Sequence, residues 1–364
     1  MYENDEFELW NLAPDSTAST GAQTIFNVLG RVKHPDKVKK ITYSINGSPD
    51  RAIFFKYLKN SSERLMRSGD FNIDTILAED LGPQNQLVFR LDMGPEEKEY
   101  QINFSTRLNS EITPHYRLDL SDARYPHEVG QIVDGKWLCG RDESSEPCLE
   151  ILNQDAGLDR IILFGRHDWT SGYEITARLC VTSWTHITHN VGLLFKWNPH
   201  LQGDGSCLPA QWSTGLGYYY SLSKGLRIRF GHNVHFDTNG NKQGDYVLKE
   251  KPLSHYRYLK GNIIKLSLPL LKLVNGNSNL AVNPFSQIIP GRQYFFRMLV
   301  HPEKYTLTVW EKGKSEPSPQ IVVCEPLDIL PQGSVGIIAY NCGVRLYEFD
   351  VSPINDIERK EAHG

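Results

Sequence analysis

Residues 294–310 read YFFRMLVHPEKYTLTVW, two alternating apolar runs separated by a polar turn. Successive side chains of a β-strand point to opposite faces of the sheet, so the alternation assigns each residue to a face. In the first run, one face carries a charged residue and a histidine among apolar residues: Phe295, Arg297, Leu299 and His301. The opposite face is wholly apolar: Phe296, Met298 and Val300. The stretch therefore predicts two antiparallel strands that bury one side.

Short strand-like runs with turn residues between them fill the rest of the chain. In the first hundred residues the Asn46-Gly47 pair predicts a tight hairpin turn between strands. Six of the seven tryptophans lie after residue 130, in a second and longer series of strands. Almost no segment has helical periodicity. We therefore predict an all-β protein with an N-terminal β-sandwich and a larger, aromatic-rich β-sandwich behind it.

The pattern divides the 364 residues into five segments. We predict an extended N-terminal lead-in over 1–23, a small antiparallel sandwich over 24–106, a proline-containing linker over 107–130, the larger sandwich over 131–354 and a polar tail over 355–364. A chain of this length is expected to hold about two domains.

Several runs resemble known folds. YSING (43–47), GDFN (69–72) and LGPQNQLVF (81–89) resemble bacterial-type immunoglobulin-like modules. VDGKW (133–137), GYEITA (172–177), VGLLFKWN (191–198), residues 294–310 and GIIAYNCGVRLYEFDVSPI (336–354) resemble the concanavalin A-like or laminin-G-like jelly roll. The resemblance implies fold rather than function, because jelly rolls of this kind include lectins, glycosidases, lyases and adhesion modules. It also implies a structural calcium near the last strand, with Asp350 as a ligand.

Charge and hydropathy exclude some classes of partner. The net charge is −4, from 39 basic and 43 acidic side chains, so a nucleic-acid partner is not expected. No run reaches the roughly 18 apolar residues of a membrane-spanning helix. The acidic, polar N-terminus lacks the pattern of a secretory signal peptide. We expect a cytoplasmic protein, or a secreted one if a signal peptide has been removed.

The cysteines and histidines predict no transition-metal site. All six cysteines lie in the second half of the chain, without a CxxC or zinc spacing. Free buried thiols are expected in preference to a disulfide framework, with a Cys139–Cys148 bridge as the alternative. We expect no cofactor. The ExDxxE pair of glutamates found in retaining glucanases of this fold is absent, and Glu174 stands alone in its strand.

Two charged side chains interrupt apolar strands and are the main candidates for chemistry: Lys196 in GLLFKWN and Arg297 in YFFRMLVH. If one sheet face holds both, they form an electropositive floor. The structural alternative is an exposed Lys196 and an Arg297 that pairs with an acidic neighbour. In GLLFKWN, Trp197 is expected to share a face with Leu193 and Phe195.

The architecture, the length and the lack of signal, metal and cofactor motifs are similar to those of the fungal hetero-Diels–Alderases, which join a tropolone quinone methide to a humulene-type sesquiterpene. This resemblance implies a cofactor-free biosynthetic enzyme that holds two hydrophobic polyketide or terpenoid substrates for a cycloaddition, which orientation alone accelerates. The available hydrogen-bond donors are Arg297, Lys196, Tyr218 and His301. The available aromatic walls are Trp197, Tyr220, Phe295, Trp212 and Tyr340.

Two other functions remain open. A carbohydrate-binding protein or a polysaccharide lyase would use the aromatic residues to stack sugars, with Lys196 and Arg297 neutralising carboxylates. A non-enzymatic adhesion module would use the same aromatic residues only to build its core. Exposed edge strands in either domain would allow a homodimer.

Overall fold

The computed structural model describes residues 1–55, 65–108, 115–157, 160–170, 172–186, 189–197, 288–301, 304–319 and 333–354. It also describes the strand backbone of residues 214–220, 225–230, 235–236, 242–243, 256–259, 262–265 and 321–324. Short 3₁₀ turns span Ala78–Asp80 and Asn153–Asp155. Within these residues no helix is long and apolar enough to cross a membrane.

The N-terminal strands are β1 (Tyr2–Glu3), β2 (Phe7–Leu9), β3 (Thr17–Thr20), β4 (Ile25–Val32), β5 (Lys40–Ile45), β6 (Arg51–Ala52), β7 (Asp70–Leu77), β8 (Gln84–Asp92) and β9 (Glu97–Leu108). They form a four-stranded sheet in the order β1-β2-β4-β7 and a five-stranded sheet in the order β3-β9-β8-β5-β6. Buried side chains from both sheets share one apolar core. The predicted N-terminal β-sandwich is confirmed. Its kinship with immunoglobulin-like modules stays a prediction.

The turn at Asn46-Gly47 forms where the sequence predicts it. Both residues have positive φ angles, 51° and 76°, which this dipeptide tolerates better than most. The amide of Ser48 donates to the carbonyl of Ile45 at 2.8 Å and closes the turn. Pairing with β5 resumes only at Arg51, so the connection is longer than a two-residue loop.

The second part contains β10 (Tyr116–Arg117), α1 (Pro126–Val129), β11 (Gln131–Asp134), β12 (Leu138–Arg141), β13 (Pro147–Ile151), β14 (Arg160–Trp169), β15 (Tyr173–Trp184), β16 (His189–Trp197), β17 (Thr214–Tyr220), β18 (Gly225–Phe230), β19 (His235–Phe236), β20 (Lys242–Gln243), β21 (Tyr256–Leu259), β22 (Asn262–Lys265), β23 (Gln293–Val300), β24 (Lys304–Glu311), β25 (Ile321–Cys324), β26 (Gly333–Tyr340) and β27 (Cys342–Pro353). Of these, β19 pairs with β20 and β21 with β22 as two-stranded ladders.

Two larger sheets face each other in this part. The eight-stranded sheet has the order β12-β13-β27-β15-β23-β24-β25, with β10 beside β27. The six-stranded sheet has the order β11-β14-β26-β16-β17-β18. Alternate residues of both sheets meet in one apolar core, which contains the fully buried Trp137 and Phe296. This is the larger β-sandwich that the sequence predicts, and the all-β fold class is confirmed.

The predicted lead-in and linker both contribute strands. The lead-in supplies β1, β2 and β3, of which β2 pairs with β4, and β3 runs parallel to β9. Phe7 and Leu9 are fully buried in the smaller core. In the predicted linker, Tyr116 and Arg117 pair with the end of β27. The sequence does not predict these strands, because β-strands only two to four residues long carry too little periodicity to be detected.

The two sandwiches share a buried interface. Trp10 and Leu29 of the smaller sandwich pack in the core of the larger one. Gln131 donates from Nε2 to the carbonyl of Ile25 at 2.6 Å, and Asn72 donates from Nδ2 to the carbonyl of Val133 at 3.0 Å. Hydrogen-bonded amides in a buried contact fix its geometry, because breaking any of these hydrogen bonds would leave a buried polar group without a partner. We infer that the two sandwiches hold a defined mutual orientation.

His127 lies at the same interface and is 3 % exposed. Its Nε2 is 2.9 Å from Oγ of Ser16, whose own proton goes to the carbonyl of Ala13 at 2.7 Å. Nε2 of His127 is therefore the donor. Its Nδ1 is buried without a hydrogen-bond partner among the described residues. Burial, with a smaller contribution from the N-terminal amino group, lowers the pKa of His127 from 6.5 to about 3.

The cysteines that the structure describes are free thiols: Cys139, Cys148, Cys180 and Cys342. Cys139 pairs in register with Leu149, and Cys148 pairs with Gly140. The two thiols are thus offset by one residue and point to opposite faces of their hairpin. Burial raises the pKa of Cys139 to about 11 and that of Cys148 to about 12. The prediction of free thiols is confirmed for these four, and the alternative of a Cys139–Cys148 bridge is wrong.

Candidate functional site

The outward face of the eight-stranded sheet carries the residues best placed to meet a ligand. Along β23 the exposure alternates, with Phe296 and Met298 buried in the core and Phe295 and Arg297 partly exposed on the other side. Phe295 pairs in register with Trp310 of β24. The two rings stack at a centroid distance of 5.3 Å and an angle of 20°. We call Phe295 and Trp310 the aromatic platform.

Arg297 lies two residues along β23 from Phe295 of the platform and is therefore on the same face. Its Nε donates to Oε2 of Glu174 at 2.7 Å, and its Nη1 donates to Oε1 of Glu316 at 2.9 Å. Arg297 thus pairs with acidic neighbours, as the structural alternative expected. Burial raises the pKa of Glu174 above its ordinary value, although the hydrogen bond from Arg297 opposes the shift. The result is a planar, partly exposed set of donors and acceptors beside the stacked rings.

A covered ion cluster limits the site on one side. Arg178 of β15 is 4 % exposed, and its guanidinium donates to Glu146, Glu348 and Gln293. Glu146 follows the turn between β12 and β13, so that turn is held against the sheet. The guanidinium carbon of Arg178 is also 4.8 Å from the ring centroid of Tyr347. These contacts occupy the part of the face directly beside Phe295, which pairs in register with Arg178.

The predicted electropositive floor does not form. Lys196 belongs to β16 in the six-stranded sheet, whereas Arg297 belongs to β23 in the other sheet. Lys196 is also only 4 % exposed, which contradicts the alternative of an exposed lysine. The predicted pair of cations is therefore divided between two sheets, because strand order is set by the chain's topology and not by the spacing of residues in sequence.

Trp197 points the opposite way from the prediction. Lys196 has a φ angle of 49°, and the register between β16 and β26 shifts by one residue here. This is a β-bulge, which reverses the alternation beyond it. Leu193 and Phe195 join the main core, but Trp197 packs with Leu194 in a separate apolar cluster and is fully buried. Trp197 is therefore not an open ligand wall in this structure.

The other predicted residues are spread over both sheets. Tyr218 and Tyr220 lie on β17, paired in register with Val191 and His189 of β16, and their side chains lie outside the described residues. Tyr340 ends β26 and is partly exposed. Trp212 lies outside the described residues. His301 directly follows β23 and is partly exposed.

Asp350 lies on the outward face in the same row as Arg297, where a row is a line of residues that pair in register across neighbouring strands. Thr176 of β15 pairs in register with both. Its carboxylate contacts Nε2 of His115 at 2.9 Å and Nε of Arg117 at 3.3 Å, and it accepts from Ser352 at 2.6 Å. The described residues contain no group of three or more His, Cys, Asp or Glu side chains able to hold a metal ion. The structural calcium stays a prediction.

Sequence reasoning missed three residues of this site: Trp310, Glu174 and Glu316. Trp310 could have been located from the sequence, because a hairpin folded about the turn HPEK (301–304) pairs it with Phe295. Glu174 stands alone in its strand, and the sequence does not show that its carboxyl group is buried and therefore requires a partner. Glu316 follows β24 in a segment without periodicity, and nothing in the sequence links it to Arg297.

A separate shallow depression of about 250 Å³ lies at the edge hairpin of β12 and β13. Its lining includes Arg124, Arg141, Cys139 and Cys148. It contains none of the predicted site residues.

No protein-family model matches the chain, and no curated protein matches it. Among solved structures, the chain is similar to the exoplasmic/lumenal domain of VIP36 with bound Ca²⁺ and Man3GlcNAc, at 8% identity and a TM-score of 0.35 over 60% of this chain and 84% of that one. It is similar to the GH43 protein BlXynB from Bacillus licheniformis, at 9% identity and a TM-score of 0.34 over 90% of this chain and 62% of that one. It is also similar to the alginate lyase from Klebsiella pneumoniae, at 10% identity and a TM-score of 0.29 over 60% of this chain and 84% of that one.

Proposed function

We propose that the larger sandwich binds an oligosaccharide on the outward face of its eight-stranded sheet. The observation that carries the proposal is the partly exposed stack of Phe295 on Trp310, one step along β23 from the paired Arg297. A sugar ring has an apolar face of C–H groups and a rim of hydroxyl groups. An aromatic platform matches the first, and planar side chains with several donors and acceptors match the second.

Burial and hydrogen bonding give this surface a fixed shape. Met298 and Phe296 anchor β23 in the core on the reverse side, and Thr308 pairs in register with Arg297 on the neighbouring strand. Glu174 and Glu316 hold the guanidinium of Arg297. A ligand therefore meets groups that are already oriented, and less conformational entropy is lost on binding than with mobile side chains.

The cycloaddition enzyme is the competing hypothesis. It needs hydrogen-bond donors and aromatic walls around one cavity, but Arg297 and Phe295 lie on one sheet while Lys196 and Trp197 lie on the other. The residue placements thus favour carbohydrate binding. Hydrophobic polyketide and terpenoid compounds belong in the same ligand panel, because their binding would restore the competing hypothesis.

Trp310→Ala should weaken oligosaccharide binding by about fivefold, because losing an aromatic contact costs on the order of 1 kcal/mol. Isothermal titration calorimetry with linear xylo-, cello- and manno-oligosaccharides measures the effect. Phe54→Ala is the matched control, since Phe54 is an exposed aromatic residue of the smaller sandwich. It should leave the affinity unchanged. Saturable binding of the hydrophobic panel with no binding of any oligosaccharide would refute the proposal.

A further inference from the structure

We infer that Glu316, together with Glu174, determines the charge class of the bound glycan: by occupying Arg297 the two glutamates select neutral oligosaccharides and reject uronates. The inference rests on the proposed function and adds a specificity to it. A polysaccharide-lyase site would use an arginine at this position in the opposite sense, to neutralise a substrate carboxylate.

The guanidinium of Arg297 is already paired with two carboxylates of the protein. An arginine recognises a carboxylate best when two of its N–H groups are free to form a bidentate fork. Here Nε is engaged by Glu174 at 2.7 Å and Nη1 by Glu316 at 2.9 Å. Two carboxylates therefore oppose one guanidinium. A uronate bound at this point would add a third negative charge beside a single guanidinium.

Among the described residues, the other cations on this face are paired with carboxylates as well, including Lys312, two residues from Trp310, whose Nζ lies 3.8 Å from Oε2 of Glu146. The next charged group in the same row is Asp350, which already contacts Arg117 and His115. Arg178, on the neighbouring row, is engaged by Glu146 and Glu348. Neutral sugar hydroxyls avoid the repulsion, because they donate hydrogen bonds to the carboxylate oxygens without bringing a charge.

The two glutamates differ in their burial and in the structure of the segments that carry them. Glu174 lies within β15, pairs in register with Leu299 of β23, and its side chain is 12% exposed. Glu316 reaches Arg297 from the segment after β24, and its side chain is 37% exposed. Removing the charge of Glu316 should therefore leave a single carboxylate opposite Arg297, with little effect on the fold. Glu316 is the position at which the specificity is adjustable.

Glu316→Gln tests the inference. Calorimetric titrations of the whole chain with neutral xylo-, cello- and manno-oligosaccharides and with oligogalacturonate and oligomannuronate give the ratio of the two affinities. We expect the wild-type protein to prefer neutral ligands by at least tenfold, and Glu316→Gln to gain about tenfold for uronates. Glu143→Gln is the matched control, because Glu143 pairs with Arg345 elsewhere on the same sheet. It should not change the ratio.

Each outcome is decisive. A wild-type protein that binds neutral ligands, with an unchanged ratio in Glu316→Gln, overturns the specificity and leaves the proposed function standing. A wild-type preference for uronates does the same. Absence of binding of every oligosaccharide by the wild-type protein and by Glu316→Gln overturns the proposed function and the specificity together.

Discussion

Acidification from pH 7 to pH 4.5 should lower the free energy of unfolding by about 3 kcal/mol through His127 alone. The pKa of this side chain is about 3 in the folded protein, against an ordinary value of 6.5. Between these two values the unfolded chain binds a proton that the folded protein does not. Stability is therefore complete above pH 6.5 and falls by about 1.4 kcal/mol for each pH unit below it. Urea unfolding at a series of pH values measures the slope.

His127→Gln separates this effect from general acid unfolding. Glutamine can donate from Nε2 to Oγ of Ser16, as His127 does at 2.9 Å, but it does not titrate. The variant should lose stability less steeply with falling pH than the wild-type protein, whatever its stability at pH 7. If the free energy of unfolding falls with the same slope below pH 6.5 in His127→Gln and in the wild-type protein, the prediction is contradicted.

Gly333→Ala should destabilise the larger sandwich by about 3 kcal/mol or more, since overpacking a core against rigid atoms costs about 1–3 kcal/mol and sometimes exceeds it. A Cβ atom on Gly333 would lie 2.3 Å from the carbonyl carbon and 2.6 Å from the Cα of Lys196. Both are backbone atoms of the bulge in β16, which cannot move without displacing Trp197. Thermal unfolding should show a melting temperature lower by roughly 5–10 °C.

Gly82→Ala is the control for this substitution. A Cβ atom there would find its nearest neighbour, the carbonyl oxygen of Gln84, at 3.6 Å, which is an ordinary contact. Its melting temperature should stay close to that of the wild-type protein. If Gly333→Ala unfolds at the wild-type temperature as well, the bulge at Lys196 is not held by the close approach of β26.

Much of the strand structure is predictable because it depends on local pattern. The alternation in residues 294–310 assigns Phe295 and Arg297 to one face and Phe296 and Met298 to the other, and the structure keeps that assignment. The same rule fails at Trp197. The bulge that reverses it depends on the close approach of Gly333, 136 positions further along the chain from Trp197, and no pattern within β16 reports that approach.

The candidate site shows the same division. Stacking of Phe295 on Trp310 follows from a hairpin, whose partners are close in sequence. The pairing of Arg297 with Glu174 joins residues 123 positions apart and follows from the strand order. Lys196 and Arg297 both interrupt apolar strands, which predicts a shared site, but the strand order assigns them to different sheets.

The sequence by itself determined the all-β class, the two successive sandwiches, the turn at Asn46-Gly47 and the inward and outward faces of β23. These properties depend on alternation and turn chemistry, which act over a few residues. Only the tertiary structure decided that the lead-in and the linker supply strands, that Trp197 is buried, and that two glutamates hold Arg297. Those properties depend on which strands become neighbours, and contacts across sheets and between domains settle that choice.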